Sequence, residues 1–76
     1  MFYVYGLKCS KGSYIGCTNN LKSRLIRHNK GQVNYTRDKL PVSLIFYIAV
    51  NDKNKAYKLE KYLKSGTGRV FIKKRL

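Results

Sequence analysis

The acidic residues narrow the chemistry open to this chain. Among its 76 residues only Asp38, Asp52 and Glu60 carry side-chain carboxylates, against 17 lysines and arginines and a single histidine, His28. A cage for two metal ions usually draws on several carboxylates, so three scattered ones nearly exclude it. Asp38 lies in a basic stretch and Asp52 is better suited to capping a helix. Glu60 is left to hold one divalent cation, with water and phosphate oxygens completing the shell as is common for Mg²⁺. Cys9, Cys17 and His28 are too few for a structural zinc site. Proton transfer falls to His28 or to the tyrosines, among which Tyr5 and Tyr14 flank a short turn-like stretch.

The net charge of +14 points to the partner. Unbalanced positive charge repels itself in the compact state, and a polyanion relieves that cost. Nucleic acid is the first candidate, ahead of an anionic membrane. The longest apolar run, Leu44 to Val50, falls far short of the roughly 20 residues a spanning helix needs. The N-terminus opens directly into strand-like sequence, without the charged and apolar regions of a signal peptide. Cys9 and Cys17 are therefore expected as ordinary thiols in a reducing, cytoplasmic or nucleoid-associated setting. With 43% hydrophobic and 13% aromatic residues the chain can form a core. Residues 1–76 are expected to fold as one domain.

Those groups need elements to position them. Phe2-Tyr3-Val4-Tyr5-Gly6-Leu7 and Ser13-Tyr14-Ile15-Gly16-Cys17 read as strands, with Ser10-Lys11-Gly12 between them as turn material. An even-numbered loop would put Tyr5 and Tyr14 on one face of the hairpin; a three-residue loop would put them on opposite faces. Thr18-Asn19-Asn20 offers caps for a helix running to Asn29, with Gly31 as its stop. Pro41 opens the run Val42 to Val50, apolar except at Ser43, which is expected as a central strand buried on both sides. Asn51-Asp52 can cap a second helix over Lys53 to Ser65, ended by Gly66. The remaining tail suggests a loop and a short docked helix. The fold class is α+β: a three-stranded mixed or antiparallel sheet, two main helices and a short C-terminal one.

At about 100° per residue, Leu21, Arg24, Leu25 and His28 fall within one arc of roughly 100° on the first helix. Glu60 projects about 40° from Ala56, at the edge of the apolar stripe of the second helix. Each polar group also has a plain structural reading. Glu60 could pair with a neighbouring lysine, Arg24 could belong to a solvated basic face, and His28 could be a satisfied core-edge side chain or a cation at a helix C-terminus. Together they offer a nucleophile-activating group, a phosphate clamp and a metal ligand.

The series Tyr3-Val4-Tyr5, Tyr14-Ile15-Gly16, Cys17-Thr18-Asn19-Asn20-Leu21 and Arg24 to His28 resembles the GIY-YIG nuclease family, and the resemblance extends over essentially the whole chain to Glu60 and Lys64-Ser65-Gly66-Thr67-Gly68-Arg69. It implies that Tyr5 ends the first signature tripeptide and Tyr14 begins the second. It further implies that Arg24 contacts the scissile phosphate and that Glu60 binds one Mg²⁺ or Mn²⁺; His28 matches a histidine found in some members. Two departures are visible. Tyr3 stands where the family name has Gly, and no Asn follows Glu60. The implied reaction is in-line hydrolysis of a phosphodiester, with Tyr5, Tyr14 or His28 as base. Nearby cations are expected to favour a tyrosine phenolate.

DNA is expected ahead of RNA as substrate, bound through Lys8, Lys11, Arg27, Arg37 and Arg69 with strong salt dependence and little base readout. A homodimer or a partner protein could supply specificity. The rival reading is a non-catalytic basic module that binds nucleic acid on the same fold. Repair, recombination, mobility and restriction all remain open as pathways.

Overall fold

Strand-forming residues on both sides of a tight turn give the chain its first unit. In the computed structural model, which describes residues 1–76, β1 (Phe2–Cys9) and β2 (Gly12–Thr18) form an antiparallel hairpin. Cys9 pairs with Gly12 across a two-residue loop of Ser10 and Lys11, so paired residue numbers sum to 21. Tyr5 therefore faces Gly16 and Leu7 faces Tyr14, and the two tyrosines share a face as an even-numbered loop requires.

β3 (Ser43–Val50) adds antiparallel to the other side of β1, and the sheet order is β2-β1-β3. This corrects the expected place of the apolar run. β1 is the central strand, and its Val4, Tyr5 and Leu7 are fully buried, while β3 is an edge with Leu44, Ile45 and Tyr47 exposed. The cause is the supply of cover. Phe46 and Val50 of β3 pack into the cluster around Val4, but the other face of β3 lies beyond the reach of the first helix. An uninterrupted apolar stretch can mark a half-covered edge in so small a protein.

The helices begin where side-chain oxygens are available. α1 (Leu21–Asn29) is capped by Asn20, whose Oδ1 accepts from Ser23 N–H at 3.0 Å. It ends where Gly31, at φ +73°, donates to the His28 carbonyl. α2 (Lys53–Lys64) is capped by Asp52, which accepts from Asn54 and Lys55. Gly66 does not end α2 in a loop. Ser65, in extended backbone, closes α2 and caps α3 (Gly66–Arg75) by accepting from Gly68 N–H at 3.1 Å. A ten-residue helix thus replaces the expected loop and short helix.

Two layers result. Tyr5, Leu7, Cys9 and Val42 pack with Leu21 and Leu25 beneath α1, whereas Val4 packs with Ala56, Leu63 and Ile72 beneath α2 and α3. No helix is long and apolar enough to cross a membrane.

Candidate active site

The register of the hairpin and the arc of α1 bring Tyr5 and His28 together. The Tyr5 hydroxyl lies 2.9 Å from His28 Nε2, and His28 Nδ1 lies 2.7 Å from Thr36 Oγ1. All three side chains are fully buried. A phenol is a stronger acid than an alcohol, so we assign the neutral imidazole with its proton on Nδ1. Tyr5 O–H then donates to Nε2, and Nδ1–H donates to Thr36. Burial lowers the His28 pKa below its ordinary value, and the positive charges of Arg24 and Arg27 push the same way. At neutral pH His28 is an uncharged acceptor, not the helix-terminal cation that was one of its structural readings.

Tyr5 corrects the expectation that surrounding cations favour its phenolate. Burial is the largest influence and raises its pKa well above the ordinary value; Tyr14 adds to the rise, and the lowering by Arg24 is smaller. Tyr5 therefore holds its proton unless a neighbour takes it.

Tyr14 reaches the same spot from β2. Its ring centroid is 6.1 Å from that of Tyr5, 5.1 Å from His28 and 5.2 Å from Tyr35. Gly16 makes the approach possible, because a Cβ there would lie 2.5 Å from the Tyr5 hydroxyl and 2.8 Å from the Tyr14 ring. Tyr14 is half-buried, while Tyr5 and His28 are sealed, so solvent meets the cluster at Tyr14.

Arg24 and Glu60 approach from α1 and α2, which lie on opposite faces of the sheet. Both are partly buried, and both act electrostatically on the Tyr5 phenol and on the Cys17 thiol of the β2 edge. Burial is the main cause of the raised Cys17 pKa. Glu60 also makes the plain helical pair considered from sequence, with Lys64 Nζ 3.4 Å from its Oε2 and its side chain 20% exposed. The Lys64 ammonium lies 6.0 Å from the Tyr14 ring centroid. No cluster of three or more His, Cys, Asp or Glu side chains exists that could hold a metal. A single carboxylate fits one hard cation whose other ligands are water and phosphate oxygens, and it does not fit a protein cage.

Tyr5, Tyr14 and His28 are thus in mutual contact, with Arg24 and Glu60 at their margin. Lys8, Lys11, Arg27, Arg37 and Arg69 are exposed and dispersed over the hairpin, α1, the loop and α3. Thr36, Tyr35 and Lys64 were not read from sequence as parts of the site. Thr36 sits in a polar segment without periodicity, so nothing in its neighbours marks it as buried.

Residues 1–75 match the pattern described as the GIY-YIG catalytic domain. The chain belongs to the GIY-YIG family. Its relatives include UPF0213 protein SAG0778 of Streptococcus agalactiae, 43% identical over 67 residues that cover 86% of this chain and 76% of the relative. UPF0213 protein CPE1444 of Clostridium perfringens is 44% identical over 69 residues, covering 88% and 74%. UPF0213 protein SpyM50708 of Streptococcus pyogenes is 44% identical over 64 residues, covering 82% and 70%. No solved structure matches the chain. GIY-YIG membership points to nuclease chemistry on nucleic acid, and GIY-YIG nucleases generally use a divalent metal. Both signature tripeptides of this GIY-YIG chain, ending in Tyr5 and beginning with Tyr14, lie on paired strands.

Proposed function

We propose that this chain is a metal-dependent endonuclease that hydrolyses phosphodiester bonds, with DNA ahead of RNA as substrate and residues 1–76 acting as one catalytic domain. The observation that carries this reading is the buried line Thr36–His28–Tyr5 ending beside half-exposed Tyr14. A hydroxyl with a raised pKa is a poor base alone, but a neutral imidazole behind it can take its proton as it receives another. The attacking water gives its proton to the half-exposed Tyr14 hydroxyl oxygen as the Tyr14 proton passes to the Tyr5 oxygen and the Tyr5 proton passes to His28 Nε2, which becomes an imidazolium. Thr36 holds the imidazole in the tautomer that leaves Nε2 free to accept.

Arg24 is the phosphate clamp. Its guanidinium offers paired donors suited to phosphoryl oxygens and stabilises the charge that grows on them. Glu60, with water and substrate oxygens, would hold one Mg²⁺ or Mn²⁺, which when bound supplies charge stabilisation at the leaving oxygen. Lys64 balances Glu60 otherwise. Exposed cations elsewhere bind the phosphate backbone without reading bases. The absence of an Asn after Glu60 and the Glu60–Lys64 pair favour the rival reading of a non-catalytic binding module.

Incubating supercoiled plasmid with the protein and Mg²⁺ or Mn²⁺, with and without chelator, separates the two. Nicking by the wild type, removed by chelator and reduced about 10³-fold by Glu60→Gln, is the expected result. Binding without nicking in either metal would leave the non-catalytic module.

A further inference from the structure

The β3 face that α1 leaves uncovered is not featureless. Tyr47 is paired with Tyr5 across β1 and β3, so it stands on the α1 face of the sheet, yet it is 54% exposed. Its ring centroid is 6.1 Å from that of Tyr3, with the planes inclined at 60°. These two rings line one side of a groove of about 470 Å³. Leu21 and Leu25 of α1 line the other, and Asn19 and Lys22 stand at its rim.

The groove continues into a basic one. A second groove of about 310 Å³ shares Asn20 and Lys22 with the first and runs over the outer side of α1 past Ser23, Arg27 and Lys30. Arg24 and Lys22 are two positions apart, about 200° around the helix, so they mark opposite flanks of α1. A strand whose phosphate is held at Arg24 can cross the helix, about 10–12 Å wide, along Arg27, Lys30 and Lys22, and arrive at the aromatic rings.

Cations that track a backbone and an exposed aromatic at the end of the track are the two ingredients of single-strand binding, because bases stack on aromatic rings while phosphates follow the charge. We propose that the groove between α1 and β3 holds an unpaired nucleobase of the substrate, stacked on Tyr47 beside Tyr3, with its phosphate on Lys22. The occupant follows from charge: the three side-chain cations of the track favour a polyanion and disfavour a second copy of a chain that is itself +14. This proposal rests on the nucleic-acid reading given above, and it names the substrate class: duplexes bearing a flap, overhang or bulge a few nucleotides from the bond cut. Paired bases are already stacked and cannot enter.

The test uses the full chain in chelator, so that binding is read without cleavage. Two probes are compared, a blunt duplex and the same duplex with about four unpaired nucleotides carrying 2-aminopurine. Wild type should bind the overhang more tightly and quench its fluorescence. Tyr47→Ala should weaken overhang binding about tenfold and abolish the quench while changing blunt-duplex affinity by less than about twofold, and Tyr47→Phe should restore both. Equal effects of Tyr47→Ala on the two probes, or none on either, would overturn the groove assignment and leave the nuclease reading standing. A change in sedimentation coefficient with no overhang-specific loss would assign the groove to a second copy and likewise overturn it. Failure of wild type to bind either probe would overturn both readings.

Discussion

The two faces of the sheet are built from alternate residues of one strand and differ in kind. Below α2 and α3, Val4 packs against Ala56 and Leu63 in an apolar layer. Below α1, Tyr5 carries a buried hydroxyl to His28 and Thr36, and no buried side-chain polar atom lacks a partner. The first arrangement stabilises by removing apolar surface from water. The second adds a modest net amount, about 0.5–1.5 kcal/mol per hydrogen bond, because buried polar groups must first recover in hydrogen bonds what they lose in hydration. The α1 face also holds the apolar cluster of Tyr5, Leu7, Cys9 and Val42, so both faces hold the fold together, and only the α1 face adds a buried hydrogen-bonded line to its apolar packing.

Substitutions on each face should separate along that line. Arg24→Ala gives the largest effect: single-turnover nicking falls about 10³-fold, roughly 4 kcal/mol of barrier, while the melting temperature moves little. Leu63→Ala does the reverse. Removing a fully buried leucine side chain costs about 2–5 kcal/mol in denaturant melts, and nicking per folded molecule is retained. Equal losses of activity and stability in either variant would break the contrast.

Tyr5→Phe lies between the two, because it keeps the ring and deletes the hydroxyl that joins the faces' shared strand to His28. Activity should fall about 100-fold. Stability should fall by about 1–3 kcal/mol, since His28 Nε2 is left buried without a donor. A denaturant melt alongside the nicking assay reads both, and an active Tyr5→Phe protein would remove the phenol from the proton path.

The contrast also explains what was legible beforehand. Short-range signals carried over: Asn20 and Asp52 mark helix starts because their oxygens meet nearby N–H groups, and Tyr5 shares a face with Tyr14 because a two-residue loop fixes the register. Tyr5, Tyr14, His28, Arg24 and Glu60 are singled out by spacing and by the resemblance, and the structure brings the first three together. Long-range features were not readable. The run Val42–Val50 looks buried on composition, but its cover depends on which helix reaches it. Gly66 looks like a stop, but Ser65 caps in both directions. Thr36 becomes a partner of His28 only when the loop folds back over α1.

The smallest effect is read at His28 itself. A histidine whose folded pKa lies below its unfolded value of about 6.5 takes up a proton on unfolding, so stability contributed by neutral His28 is present above that pH and declines as pH falls toward the folded value. ¹⁵N NMR of the imidazole through such a titration reads the site itself. The ring should be neutral at pH 7 and protonated on Nδ1, with a pKa below about 6.5 and an Nε2 signal that shifts in Tyr5→Phe. A pKa at or above about 6.5, or an Nε2 signal indifferent to Tyr5→Phe, would contradict a neutral imidazole bonded to Tyr5.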